Sequence, residues 1–168
     1  KAAARLGISN RALLPSNNEI EQAIIEYQRI FMPTQHSAHL HTLRESAIKA
    51  MQLLAPYRPR LVGPVLHGTA GLHSEINLHL FANTPEDVMF FLMERNSPFT
   101  SHQRRLRFHN NYVEAPAISF QAGETSIDLT IFNERTERES PRSPIDGRSM
   151  RRADLAEVQE LVDQHGFD

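Results

Sequence analysis

Glu75, Asn77 and Asp128 are the side chains in this sequence whose types and spacing could do chemistry together. The stretch SEINLHLF, residues 74–81, alternates polar and apolar residues. As a strand it places Glu75, Asn77 and His79 on one face, opposite Ile76, Leu78 and Leu80. The stretch TSIDLTIF, residues 125–132, does the same with Ser126, Asp128 and Thr130. If the two strands are neighbours in register, two carboxylates and an amide converge. Mg²⁺ takes oxygen ligands of this kind, typically one or two carboxylates plus substrate phosphates. Bound there, it clamps the oxygens of a phosphoryl or nucleotidyl group in transfer. Glu75 and Asp128 are therefore candidate metal ligands, and Glu75, Asn77 and Asp128 candidate catalytic residues. Upstream, Gly68 allows close backbone approach to a phosphate, and Thr69 adds a hydroxyl and an N–H. Arg105, in HQRRLRF, is a candidate phosphate contact, on one face with Arg107 by alternation.

Other chemistry is less well supplied. There is no cysteine, which excludes disulfides, thiolate metal sites and a cysteine nucleophile. No Gly-rich lysine loop is present, and no Ser/His/Asp triad can be argued from spacing. His36 and His39 sit three apart on a helix start, with no third ligand at a recognised spacing, so they read as solvated histidines. His67 and His73 flank the glycine turn and suit a phosphate only when protonated. Arg142, Arg148, Arg151 and Arg152 gather in a Pro-containing loop that would suit an anionic partner or pack against the domain.

The elements that must position these residues read as one α/β unit. Ser16 and Glu19 have capping-box spacing. Ile20, Ile24 and Tyr27 then recur at helical spacing, and Pro33 ends the run. A second helix is expected over about 37–54, with Leu40, Leu43, Ala47, Met51 and Leu54 on one stripe. Both stripes are expected to pack into the core. LVGPVLH, residues 61–67, reads as a short strand of edge or bulged type, given Pro64. Thr84 caps a helix with Pro85 at its first position. FTSHQRRLRF, APAISFQ and TSIDLTIF read as strands, with Gly123 turning the last two. A final helix is expected over about 152–165, closed by Gly166, and KAAARLG reads as a helix end stopped at Gly7.

The chain has 168 residues, 40% hydrophobic and 23% charged, which fits one domain with a real core. The expected division is an N-terminal helical extension over 1–36, a core over 37–132, and a loop with the C-terminal helix over 133–168. A net charge of −2 argues against a general nucleic-acid binder. The basic residues are nonetheless skewed to sixteen Arg and two Lys. No apolar run is long enough to span a membrane, and a reducing cytoplasm is the expected compartment. The first residue is Lys1 rather than Met, so a longer native chain is expected.

A strand followed by Gly-Ser/Thr, a short segment, an acid-x-acid pair on a second strand and a third acid on a later strand resembles the DNA polymerase beta-type nucleotidyltransferase superfamily, and in particular its uncharacterised divergent bacterial members. VLHGTAGLHSEINLHLF and SIDLTIF carry the resemblance, over roughly residues 37–132. It implies a mixed sheet with helices packed on it and an N-terminal helical extension. It implies Mg²⁺-dependent nucleotidyl transfer from a nucleoside triphosphate, with the acceptor and any homodimer undefined. Gly68 and Thr69 would hold the triphosphate, and Glu75, Asn77 and Asp128 would stand at the three acid positions. Asn77 departs from that pattern, because a neutral amide brings no charge to a metal. An eroded metal site follows, and with it a second reading, a non-catalytic relative that binds a nucleotide or a protein. A third reading is a small nucleic-acid-binding module using the Arg clusters.

Overall fold

The computed structural model describes residues 15–31 and 33–165. The helix end at Gly7 and the closing Gly166 lie outside them. Helix α1 spans Asn17–Phe31 and α2 spans Pro33–Leu53. Strand β1 (Arg60–Val62) is followed by a single-turn helix α3 (Pro64–His67), then β2 (Ile76–Phe81) and α4 (Pro85–Glu94). Three strands follow without interruption, β3 (Phe99–Phe108), β4 (Asn111–Ala122) and β5 (Thr125–Phe132). Helix α5 (Leu155–Gln164) ends the described chain. The α/β expectation holds, with one mixed five-stranded sheet in the order β1-β2-β5-β4-β3. Only the central β2–β5 pair is parallel.

The sheet separates an apolar face from a polar one. Leu61, Ile76, Leu78, Leu80, Ile118, Ile127 and Leu129 are fully buried on the first. The helix stripe from Leu43 through Ala47 and Met51 to Leu54 covers them, as expected. Each large side chain buried there contributes about 1.5–3 kcal/mol. Val88 and Leu92 of α4 and Val158 of α5 join the same cluster. Local capping agrees with the sequence. Ser16 and Glu19 exchange both capping-box bonds, and Thr84 with Asp87 and Asp154 with Glu157 form two more.

Three expectations are corrected. The Ile20/Ile24/Tyr27 stripe of α1 is not core, since these residues are 44, 42 and 57% exposed. Helix α2 already occupies the apolar sheet face, so α1 lies outside it and turns its stripe toward clefts. LVGPVLH is not one strand. Gly63 adopts φ +77 and ψ −156, a region essentially reserved for glycine, and Pro64 then starts α3. Strand β4 is longer than APAISFQ and contains Pro116. Its pairing with β5 starts only at Ala117, so Pro116 removes no donor from that ladder.

Candidate functional site

The register brings the predicted strands together. Asn77 and Asp128 are Cα partners across the parallel β2–β5 ladder, and the next rung on the same face pairs His79 with Thr130. Glu75 lies one residue before β2, exposed, with Ser126 Oγ donating to its Oε1 at 3.4 Å. Asn77 and Asp128 thus share one sheet face, with Glu75 just beyond the strand end, and the three do not form an open acidic site.

Asp128 is 2% exposed and its carboxylate is already engaged. Arg104 of β3 donates to Oδ2. Ser119 Oγ donates to Oδ1 at 2.9 Å, and His102 Nε2 lies 3.3 Å from the same oxygen. Arg104 pairs with Ala115 across β3–β4, so its guanidinium reaches Asp128 along β4 over the small side chains Ala115 and Ala117. Phosphoryl chemistry in the resembled superfamily implies Mg²⁺, and this donor set does not fit it. One carboxylate is neutralised by a guanidinium, Asn77 carries no charge, and Glu75 stands outside the strand. Among the described residues no group of three His, Asp or Glu could hold a metal ion.

The phosphate candidates are placed differently from expectation. Gly68 does not end a strand. It is the left-handed C-cap of α3, and its N–H and that of Thr69 both donate to Pro64 O, at 2.8 and 3.0 Å. A phosphate would have to displace those bonds. The glycine that directly follows β1 is Gly63, whose absent Cβ would meet Asn77 Nδ2 at 3.3 Å. Arg105 is opposite Glu114 in the hairpin, with its guanidinium 4.1 Å over the Tyr112 ring. Strand alternation puts it on the opposite face from Arg104, so Arg104 is the arginine at the site. His36 and His39 donate from Nε2 to the carbonyls of Gly68 and Gly71, at 3.0 and 3.1 Å, and tie this turn to α2. Arg44, 5% exposed, donates to the Val65 and Leu66 carbonyls at the C-terminal end of α3. Burial lowers its pKa first, and Arg151 further.

A cleft of about 440 Å³ opens over the second rung. Its floor holds Asn77, His79 and Thr130, with Arg104 and Thr69 at the sides. Ile20 and Ile24 of α1 form one wall, and Leu106 and Met150 contribute apolar surface to the lining. Behind the floor, Arg152 donates from Nε to His79 Nδ1 at 2.9 Å and from Nη1 to the Glu137 and Glu139 carbonyls. Its guanidinium also sits 5.1 and 5.0 Å from the Phe81 and Phe132 ring centres. Burial holds the His79 imidazole at about 3, helped by the Arg152 and Arg104 charges, so it is neutral. Burial lowers Arg152 to about 10, with Arg60 adding to the effect, which leaves it charged at neutral pH.

Neither a protein-family model nor a curated protein matches this sequence. Among solved structures, the chain is similar to one described as a cytoplasmic RNA terminal U-transferase, at 17% identity and a TM-score of 0.33. That match covers 70% of this chain and 36% of the other, so the chain spans about a third of that protein. No described helix is long and apolar enough to cross a membrane.

His79, Thr130, Arg104 and Arg152 were not assigned to this site from the sequence, where the two arginines read only as members of Arg clusters. A signal was present for two of them. His79 shares the phase of Asn77, and Thr130 that of Asp128. Arg104 required the β3–β4 register, and Arg152 a long-range loop contact that no spacing announces.

Proposed function

We propose that this domain is a nucleotidyltransferase-like module that binds a nucleotide without a divalent metal and does not transfer it. The observation that carries this reading is the engagement of Asp128 by Arg104, His102 and Ser119, with the neutral Asn77 on the adjoining strand. A guanidinium stands where a metal-binding carboxylate would need an open coordination position. The guanidinium already balances the buried carboxylate, so no metal is needed to offset it. The cleft beside it falls within the roughly 300–1,000 Å³ typical of small-molecule sites. Its mixture of apolar walls and convergent polar groups suits a base with its sugar.

The test is thermal unfolding with each nucleoside triphosphate, with and without Mg²⁺, alongside an assay for pyrophosphate release. A ligand at one hundred times its dissociation constant adds about 2.7 kcal/mol to stability. The expected result is stabilisation by at least one nucleotide, unchanged by Mg²⁺, and no turnover. Binding that requires Mg²⁺, accompanied by pyrophosphate release, would show a working catalytic site and end this reading.

A further inference from the structure

We propose that the cleft floor binds the hydrogen-bonding edge of an uncharged heterocycle of nucleobase type, with His79 Nε2–H as the fixed donor. This rests on the nucleotide-binding reading and names the part of the ligand that goes deepest. His79 and Thr130 are each 3% exposed, yet both line the cleft. Among the described residues the one hydrogen bond of the His79 ring is made at Nδ1, where it accepts from Arg152. Arg152 Nε carries a hydrogen and cannot accept. Nδ1 is therefore the acceptor nitrogen of a neutral ring, and the proton is on Nε2. Nε2–H, the Thr130 hydroxyl and the Asn77 amide make no protein hydrogen bond among the described residues, while the fully enclosed donors left unpaired are Arg104 Nε and Arg152 Nη2. Polar groups at the foot of a cleft are normally bonded, and this open cluster, two of whose residues are almost fully buried, needs a ligand or water to complete it.

The chemistry of the floor selects the ligand. A phosphate at the floor would face three uncharged side chains, His79, Asn77 and Thr130, and the Arg104–Asp128 pair, whose charges offset one another. Arg104 is committed to Asp128, His79 is neutral, and Arg152 faces backbone carbonyls behind the ring. An uncharged edge meets no such penalty. His79 can only donate, so the ligand must present an acceptor at that point. Asn77 and Thr130 can each donate or accept, so they accommodate the groups on either side. The apolar walls from Ile20, Ile24, Leu106 and Met150 suit the flat faces of a ring. Arg152 is a positioning residue, because it fixes the tautomer through Nδ1 and does not line the cleft itself.

Unphosphorylated uridine, cytidine, guanosine and adenosine are the probes, titrated without metal by calorimetry and by NMR. At least one should bind to the native protein. Thr130→Val, which keeps the shape and removes the hydroxyl, should weaken it about tenfold, as expected for a lost hydrogen bond to a buried group. His79→Phe, which keeps the ring packing, should do the same. The ¹⁵N shifts of His79 should report the Nε2–H tautomer in the native protein and a mixture in Arg152→Met. Triphosphates that bind while no nucleoside does, with affinity unchanged by Thr130→Val, would overturn the proposal and leave nucleotide binding intact. Nucleoside binding insensitive to both variants, or an Nδ1–H tautomer in the native protein, would also overturn it. Failure of nucleosides and triphosphates alike would overturn both readings.

Discussion

Arg104 on β3 reaches along the face of β4 to the carboxylate of Asp128 on β5, so the ion pair at the site joins strands that are not neighbours. The reach is possible because β4 presents Ala115 and Ala117 at the intervening rungs. Removing one partner of a buried ion pair exposes the other to a low-dielectric surrounding without compensation. Arg104→Met should cost about 1–3 kcal/mol, less than the roughly 3–5 kcal/mol of a fully buried pair, because Ser119 and His102 remain and the Arg104 side chain is 39% exposed. Urea unfolding measures it. Asp128→Asn in the same chain should recover most of the loss, and a purely additive double variant would show that the pair is not coupled.

The same pair governs metal affinity. Asn77→Asp alone should leave Mg²⁺ and Mn²⁺ binding weak, since the new carboxylate faces one already neutralised by Arg104. It should also destabilise the protein slightly through like-charge repulsion. Combined with Arg104→Met, it should create a measurable divalent site in calorimetric titration. Tight Mg²⁺ binding by the unmodified protein would contradict this account of the donor set.

Stability should depend on the titration of His79. Its folded pKa, about 3, lies below the ordinary 6.5 because the ring is buried beside Arg152 and Arg104. Below about pH 6.5 the unfolded chain takes up a proton that the native ring refuses. The contribution is complete above that value and falls as the pH drops toward 3, by at most about 1.4 kcal/mol per pH unit. His79→Phe removes this one term. Its unfolding free energy should therefore fall less steeply than that of the native protein between about pH 6.5 and pH 5. Parallel curves for the two proteins would place the histidine in an environment open to water.

Gly63→Ala should destabilise by about 1–3 kcal/mol, because its φ of +77 with ψ −156 belongs to the region that side-chain-bearing residues avoid. The added methyl would also press on Asn77 Nδ2 from 3.3 Å. Ligand affinity should fall with stability, whereas Gly71→Ala, with open space at its Cβ position, should change neither by much. Thermal unfolding and nucleotide titration on both variants separate the two effects.

The two helix stripes give the remaining contrast. Met51→Ala should cost about 2–5 kcal/mol, as a fully buried side chain lost from a packed core. Ile24→Ser, at 42% exposure, should stay within about 0.5 kcal/mol in denaturant unfolding, the range of surface substitutions.

That contrast marks what the sequence could say. The two stripes look alike as periodic patterns, because periodicity reports that a helix has an apolar side and not what covers it. Only the sheet decides which helix docks first. The strand phases of residues 76–81 and 125–132 were legible, and with them the convergence of Asn77 and Asp128. The choice between Arg104 and Arg105 was not, since it turns on a one-residue phase set by a hairpin whose turn at His109 has an unusual positive φ. The glycine that ends β1 was also misplaced. Gly63 and Gly68 are both turn formers, and only backbone geometry shows that the intervening PVLH coils instead of extending.

The strand order carries a consequence for how the chain reaches this state. β3, β4 and β5 are joined by tight connections and zip as successive hairpins, which assembles Arg104, Ser119 and Asp128 from local sequence. β2 must instead find β5 across the whole intervening helix and meander, and that parallel rung carries a larger loop-closure cost. The salt-bridged half of the site thus rests on local pairing, and Asn77 and His79 join it through the one long-range rung. In the finished sheet the Asp128 ion pair is made entirely within the β3–β4–β5 meander and needs no residue of β2. One crossover thus divides the site into a locally paired, neutralised half and a half that depends on long-range contact.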